Sequence, residues 1–359
     1  VEQLAYWVGF NKVVGIGPAK MRVLLDHFGD AQIAWQAPAP ELRATGLDSR
    51  SLANLLEARQ TLDLVGELER LSRAGVTLLT WQCDAYPANL RNIYDPPLVL
   101  YLKGDLLPED DWAVALVGTR KASVYGQEVT RRLAGELARA GVTVVSGLAS
   151  GIDSMAHRAA VEAGGRTLAV LGSGVDVIYP EHNRRLAQQV QEQGALISEY
   201  PLGTRPERRN FPPRNRIISG LSLGIVVVEA GVRSGALITA EFALDQGRDV
   251  LAVPGSILQR TCQGSNRLIQ QGAKPVLSVS DILEELELGQ IAVQAEVRAS
   301  VPTNSTERRI LELLSSDPRH VDDLGRAAGL PASTVASTLA LLELKGLARQ
   351  VGQMSYVGA

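Results

Sequence analysis

Between Trp112 and about Leu286, short apolar, β-prone runs alternate with amphipathic stretches, and this alternation constrains the fold more than any other feature of the chain. The runs are Ala113–Val117, Val142–Val145, Thr167–Leu171, Ala195–Ser198, Ile225–Val228 and Val250–Val253. Between them, stretches such as Gln127–Arg139 and Asn183–Gln193 place apolar residues at helical spacing. Strands that are apolar on both faces need cover on both sides, and intervening helices supply it while keeping successive strands parallel. The expected class is therefore α/β: a Rossmann-like, doubly wound, mostly parallel sheet.

The flanks read differently. Leu4, Val8, Val13, Ile16, Met21, Leu24, Leu25 and Phe28 have the spacing of small packed helices, so residues 1–75 are expected to form a helical domain. Val76–Thr80 and Leu98–Leu102 look like short strands around an Asp95-Pro96-Pro97 turn, and these are assigned to the sheet domain, 76–288. Residues 289–304 lack periodicity and are expected to be a linker. From 305 to 359 the pattern is three helices and a β-ribbon. Pro331 opens the third helix, Gly346 closes it, and Leu347–Val351 and Met354–Val357 flank Gly352. That outline is a winged helix.

Composition excludes more than it proposes. With 359 residues and a net charge of −3, the chain has no global attraction for a polyanion, so any nucleic-acid footprint must be local. Arginine dominates its 36 basic residues, which would suit phosphate and base contacts but equally fits a codon bias. Cys83 and Cys262, without nearby histidines, argue against a disulfide framework and against a metal site. No apolar run is long enough to span a bilayer and no basic-then-apolar leader opens the chain, so a cytoplasmic location is expected.

Ligands of open parallel sheets sit beyond the carboxyl ends of the strands. There the chain has Gly118-Thr119-Arg120, Ser146-Gly147, Gly172-Ser173-Gly174, Ser198-Glu199, Glu229 and Pro254-Gly255. Small residues admit a ligand to the backbone, and free N–H groups ahead of helices favour anions. A dinucleotide fingerprint fails after the first strand, where Arg120 stands at the second glycine, and no P-loop is present, so no cofactor is expected. The strongest local signal is Arg205–Arg216, with five arginines, one glutamate and Phe211. Cations for phosphate beside a ring for a base suit single-stranded nucleic acid. Alternatively Phe211 staples the next helix while Arg214 and Arg216 pair with Glu199 and Glu229. On one helix Arg214 and Arg216 cannot face the same way.

Catalytic readings are thin. Asp153 and His157 stand one helical turn apart and could act as an acid/base pair, although such a pair more often caps a helix. Glu199 and Glu229 could be paired carboxylates, and no nucleophile elbow is present. No catalytic residue is assigned, and a nucleotide-processing hydrolase is kept as the enzymatic rival to a binding protein.

In order along the chain, several segments resemble the bacterial DNA-processing protein A (DprA/Smf) family. They are Tyr94-Asp-Pro-Pro-Leu-Val-Leu-Tyr101, Val117-Gly-Thr-Arg120, Ser123-Val-Tyr-Gly126, Val145–His157, Phe211-Pro-Pro-Arg-Asn-Arg-Ile-Ile218, Ser234–Thr239, Val253-Pro-Gly255 and Gly264–Ile269. The resemblance implies a non-enzymatic protein that binds and protects single-stranded DNA, helps load the RecA recombinase during natural transformation, and forms a homodimer. By motif it implies a phosphate pocket at Thr119 and Arg120, a basic contact at Arg208 and a base contact at Phe211. Ser146, Gly147, Arg214, Asn215, Arg216, Ser234, Thr239 and Asn266 complete the implied binding set, and Leu268 and Ile269 are the implied dimer contacts.

The flanks resemble accessory domains of the same family: Val14-Gly-Ile-Gly-Pro-Ala-Lys20 looks like a helix-hairpin-helix turn in a SAM-like bundle. Charge there is balanced, which points to packing or protein contact. In the winged helix, the helix expected to read DNA, Ala332–Lys345, offers Ser, Thr, Ala, Val and Leu where duplex readers carry Arg, Asn or Gln. A protein-contact or weak DNA-contact role is expected for it.

Overall fold

The computed structural model describes residues 2–289, 305–314, 318–344, 347–352 and 354–358. The chain divides into two compact units, Val1–Leu286 and Glu287–Ala359. The expected linker after residue 289 and the expected helix stop at Gly346 lie outside the described residues.

The larger unit is built on a nine-stranded sheet. Its strands are β1 (Thr77–Thr80), β2 (Val99–Gly104), β3 (Ala113–Gly118), β4 (Thr143–Ser146), β5 (Thr167–Val170), β6 (Gly194–Ser198), β7 (Gly224–Glu229), β8 (Asp249–Ala252) and β9 (Lys274–Pro275). Their order is β1-β2-β6-β5-β4-β3-β7-β8-β9. The strands from β6 through β9 are all parallel, whereas β1 and β2 extend one edge antiparallel. Each expected run of the alternating region forms a strand, and Val76–Thr80 and Leu98–Leu102 join the same sheet. β3 lies between β4 and β7, so successive connections leave it in opposite directions. Such a reversal opens a crevice at the carboxyl ends of the strands.

Helices cover both faces, and the single-turn α7 (Ala88–Arg91) lies between β1 and β2 in the chain. Those that matter below are α8 (Val124–Arg139), α9 (Ile152–Glu162), α10 (Arg184–Gln193), α11 (Phe211–Gly220), α12 (Gly235–Asp245) and α13 (Gln263–Gln270). Their starts are set locally. The Ser123 hydroxyl accepts from Gly126 N–H to cap α8, and the Ser234 hydroxyl accepts from Ala236 N–H to cap α12. Removing such a cap costs about 1 kcal/mol.

Ahead of the sheet, six helices run from α1 (Glu2–Lys12) and α2 (Pro18–Phe28) through α3 (Ala31–Gln36), α4 (Ala39–Ala44) and α5 (Ser49–Thr61) to α6 (Leu64–Arg73). Trp7, Phe10, Met21, Leu24 and Trp35 are buried in one continuous core with Tyr101, Leu171, Val190 and Leu196 of the sheet and α10. The Tyr101 hydroxyl donates to Asn11 Oδ1 at 2.9 Å, tying α1 to β2. At the hairpin turn, Lys20 Nζ donates to Gly15 O and to the Ser51 hydroxyl, both at 2.8 Å, and pairs with Asp48. The amine thus ties the turn before α2 to the start of α5.

In the smaller unit, helices α15 (Ser305–Leu313), α16 (Val321–Ala328) and α17 (Ala332–Leu344) follow α14 (Val279–Glu285) of the larger one. They enclose Ile310, Val321, Leu324, Val335, Leu339 and Leu342. A three-stranded sheet completes it, β10 (Arg319–His320), β12 (Ser355–Gly358) and β11 (Ala348–Gly352) in that order. The architecture is a winged helix, as expected. The exposed positions of α17 include Ser333, Ser337, Ala340 and Leu341, so this face is nearly uncharged.

Candidate nucleic-acid interface

A cleft of about 830 Å³ opens at the carboxyl ends of β3 and β7, at the reversal point of the sheet. Gly118, Thr119 and Arg120 line it from the β3 side, and Gly231, Arg233 and Ser234 from the β7 side. Arg208, ahead of α11, and helix residues Phe211, Arg214, Asn215 and Thr239 complete most of the wall.

The Thr119-Arg120 loop is pinned by its backbone. Thr119 N–H donates to Glu229 O at 2.7 Å, Ile152 N–H donates to Thr119 O at 3.2 Å, and Lys121 N–H donates to the Thr119 hydroxyl oxygen at 3.2 Å. Gly151, at φ +85°, makes this approach feasible: a Cβ there would lie 2.3 Å from Thr119 O. Below the loop, the buried Glu229 carboxylate accepts from Ser123 N–H at 2.9 Å and from the Ser123 hydroxyl at 3.1 Å. One carboxylate therefore holds the loop and the start of α8 together.

Phe211 opens α11 and is half-buried. A Cβ at Gly172 would stand 2.8 Å from its ring, so the glycine after β5 is what lets the ring settle against the sheet edge. Tyr179 lies 5.8 Å away, centroid to centroid, and 47% of its surface is exposed. The Arg120 guanidinium lies 5.5 Å from the Phe211 centroid. An aromatic pair with a cation above it can receive a flat, electron-rich base and its phosphate together.

The arginines of the 205–216 segment separate into two groups. Arg205, Arg208 and Arg209 are exposed, and Arg208 faces the cleft. Arg214 and Arg216 are 4% and 7% exposed. Arg214 Nη1 donates to Gly147 O at 2.9 Å and to Val170 O, so it closes the ends of β4 and β5. Burial lowers its pKa to about 10, which still leaves it charged at neutral pH. Arg216 instead pairs with Glu199 and, at 3.4 Å, with Asp95. Two positions apart on one helix, the two side chains face different partners. Arg214 remains in the cleft floor, whereas Arg216 belongs to an internal ion-pair network.

The remaining residues of the implied set divide in the same way. Asn215 and Thr239 line the cleft, as does the capping Ser234. Ser146 is fully buried and its hydroxyl donates to Leu116 O at 2.7 Å, a cross-tie between β4 and β3. Gly147 lies under Arg214; a Cβ there would be 2.6 Å from the guanidinium. Asn266 holds the Gly255 backbone from both sides, accepting its N–H at 3.0 Å and donating to its O at 2.9 Å. Leu268 and Ile269 lie on α13, half-buried against the sheet core.

Among the charged and aromatic residues that line the cleft, Arg233, Arg260 and Tyr179 were not singled out from sequence. The first two sit in strand-end loops, and extending the strand-end rule beyond the first few residues would have found them. Among the described residues, Arg120, Arg208, Arg233 and Arg260 have no ion-pair partner. Among the described residues the one carboxyl lining the cleft is Asp153, and burial raises its pKa while Arg214 opposes the rise. The cleft is thus strongly cationic despite the acidic chain.

His157 is committed elsewhere. Leu148 N–H donates to Nε2 at 3.3 Å, and Nδ1 lies 2.7 Å from the Thr167 hydroxyl. Thr167 in turn donates to Val144 O, so the hydrogen-bond network assigns the proton to Nδ1. Burial, with Arg214 nearby, lowers its pKa to about 3. A fully buried neutral imidazole with both nitrogens engaged has no reach to a ligand in the cleft.

Comparison with known proteins agrees with this geometry. The DNA recombination-mediator protein A family matches residues 77–287, and the DprA winged helix domain matches residues 294–354. Protein Smf of Synechocystis is 34% identical over 392 aligned positions, covering 99% of this chain and 98% of the relative. DNA processing protein DprA of Bacillus subtilis is 47% identical, over 59% of this chain and 72% of its own. The crystal structure of DprA from Streptococcus pneumoniae superposes with a TM-score of 0.70 at 36% identity, covering 78% of this chain and 97% of that one. DprA of Helicobacter pylori, whose structure was studied for its single-stranded DNA binding mode, gives 0.54 at 28% identity over 60% of this chain and 96% of its own. With its sheet domain and its winged helix both matched, and a relative aligned almost from end to end, this chain belongs to the DNA recombination-mediator protein A (DprA/Smf) family.

Proposed function

We propose that the chain binds single-stranded DNA in the cleft at the ends of β3 and β7 and helps to load RecA onto it during natural transformation, without catalysing a reaction. One observation carries the binding half of this reading: Arg120, Arg208, Arg233 and Arg260 line the same cleft as a pair of aromatic rings and have no ion-pair partner among the described residues. Unpaired guanidiniums attract phosphate, and rings accept bases of any sequence. Direct contacts are assigned to Thr119, Arg120, Arg208, Phe211 and Asn215, with Ser234 and Thr239 on the far wall. Arg214 forms the cleft floor, and Arg216, Ser146, Gly147 and Asn266 shape the cleft from behind.

A binding role also suits the carboxylates and the histidine. Glu199 is paired with Arg216, Glu229 holds Ser123, and His157 is enclosed. The RecA and transformation roles rest on family membership, as do a homodimer through Leu268 and Ile269 and a cytoplasmic location. The nearly uncharged face of α17 suits a protein contact better than duplex reading.

The test is fluorescence anisotropy with a labelled oligo-dT and a matched duplex across a salt series. The single strand binds tighter, and Arg120→Ala or Arg208→Ala each lowers the log–log salt slope by about 0.7. Equal affinity for the two DNA forms, or an unchanged slope in both variants, overturns the reading. Acceleration of RecA filament assembly on the same strand tests the loading role.

A further inference from the structure

A second set of unpaired arginines lies on α6, outside the cleft. Arg70 and Arg73 are exposed and have no ion-pair partner among the described residues. Glu67, their neighbour on the helix, is taken by Lys12 at 2.5 Å, and Arg73 Nε donates only to the backbone O of Glu69. Together the two arginines line a shallow groove of about 510 Å³ with Gly66 and Ala74.

That groove adjoins the loop that carries Arg208. Gly203 sits at φ +79°, and a Cβ there would lie 3.1 Å from Arg70 Nη2. Glycine takes that backbone conformation without strain and leaves room for the guanidinium. Three residues later Pro206 lines the cleft, so at most about 11 Å of extended backbone separates the two places. The exposed Arg205 stands between them. The loop is held in position: Gly203 N–H donates to both oxygens of Asp176 at 2.9 and 3.0 Å, and Gly174 N–H donates to Thr204 O at 3.0 Å. Asp176 is thereby engaged, and Glu207, within the same loop, pairs with Arg209 at 2.8 Å. Asp63 is turned to capping α6, accepting from Gly66 N–H at 2.9 Å.

We propose that Arg205, Arg70 and Arg73 continue the nucleic-acid path out of the cleft, so that the phosphates of a longer single strand run over the Gly203 turn onto α6. The helical domain then contributes a backbone-tracking subsite, and its side chains, rather than its hairpin turn, contact the DNA. This rests on the reading of the cleft as a single-strand site. Phosphate tracking needs only exposed, unpaired cations at intervals along a fixed surface, and it carries no base preference.

The experiment uses the full chain and two oligo-dT probes, one of about five nucleotides that the cleft can hold and one of about twenty. With Arg70→Ala and Arg73→Ala combined, the salt slope for the long probe falls by about 1.4, from two lost phosphate contacts, and the short probe binds as to the parent. Replacing both by Lys restores the long-probe slope. Arg120→Ala weakens both probes. An unchanged long-probe slope in the double alanine variant removes the α6 track and leaves the cleft standing, as it would if these arginines served an acidic protein. Equal loss on the short probe also removes it, since the arginines would then act within the cleft. If Arg120→Ala too changes nothing, the cleft reading fails with it.

Discussion

Replacing His157 by Gln should remove a specific part of the acid sensitivity of the larger unit. The imidazole is fully buried, and its pKa falls from 6.5 to about 3 in the fold. Between those values the unfolded chain binds a proton that the folded chain does not, so stability falls as pH falls. The contribution is complete above the unfolded pKa and is lost progressively towards the folded one. At about pH 5 the unfolded imidazole is some 1.5 units below its own pKa, which corresponds to a loss of about 2 kcal/mol relative to pH 7.5. Trp7, Trp35, Trp81 and Trp112 all lie in the larger unit, so tryptophan fluorescence in urea follows that unit alone. The difference in unfolding free energy between about pH 7.5 and pH 5 should be about 2 kcal/mol smaller in His157→Gln than in the parent, whatever the cost of the substitution at neutral pH. Equal pH dependence in the two proteins, or an imidazole signal titrating near its ordinary value in the native state, would refute the enclosed-histidine argument and return His157 to the list of proton-transfer candidates.

Other expectations follow from the same geometry. Arg216→Ala leaves Glu199 buried without its partner and should cost about 3 kcal/mol in urea unfolding, with the salt slope of DNA binding unchanged. Gly151→Ala puts a Cβ against Thr119 O at a left-handed φ, so both stability and affinity for oligo-dT should fall, the affinity loss showing that the Thr119-Arg120 loop had moved. Phe211→Leu keeps apolar bulk at the start of α11 but removes the stacking surface; oligo-dT should bind weaker by about 1–3 kcal/mol, with the salt slope preserved.

Much of the fold was legible because its signals are local. An apolar run buried on both faces and a helical repeat are written within ten or fifteen consecutive residues, so strands such as Ile225–Val228 and the parallel sheet they imply could be read without knowing any partner. The candidate site was legible as a set of strand ends, and the family motifs pointed to Arg120, Arg208 and Phe211 within it. Sequence could also say that Arg214 and Arg216 must diverge, since two helical positions turn a side chain by more than half a circle.

Tertiary structure decided which arginine meets which group. α11 turns Arg214 onto the carbonyls that end β4 and β5 and turns Arg216 towards Glu199, choices set by the strand order rather than by neighbours in the chain. The same order, with β3 beside β7, brings Arg233 and Arg260 across from Arg120 although more than a hundred residues separate them in sequence. It also brings Gly203 against Arg70, joining a helical domain to a loop that the sequence keeps far apart. Periodicity reports the environment of one element at a time. Where charges from distant elements converge, or cancel, depends on how the elements are laid side by side, and only the assembled sheet shows that the cationic segment of an acidic chain is partly spent inside and partly left exposed.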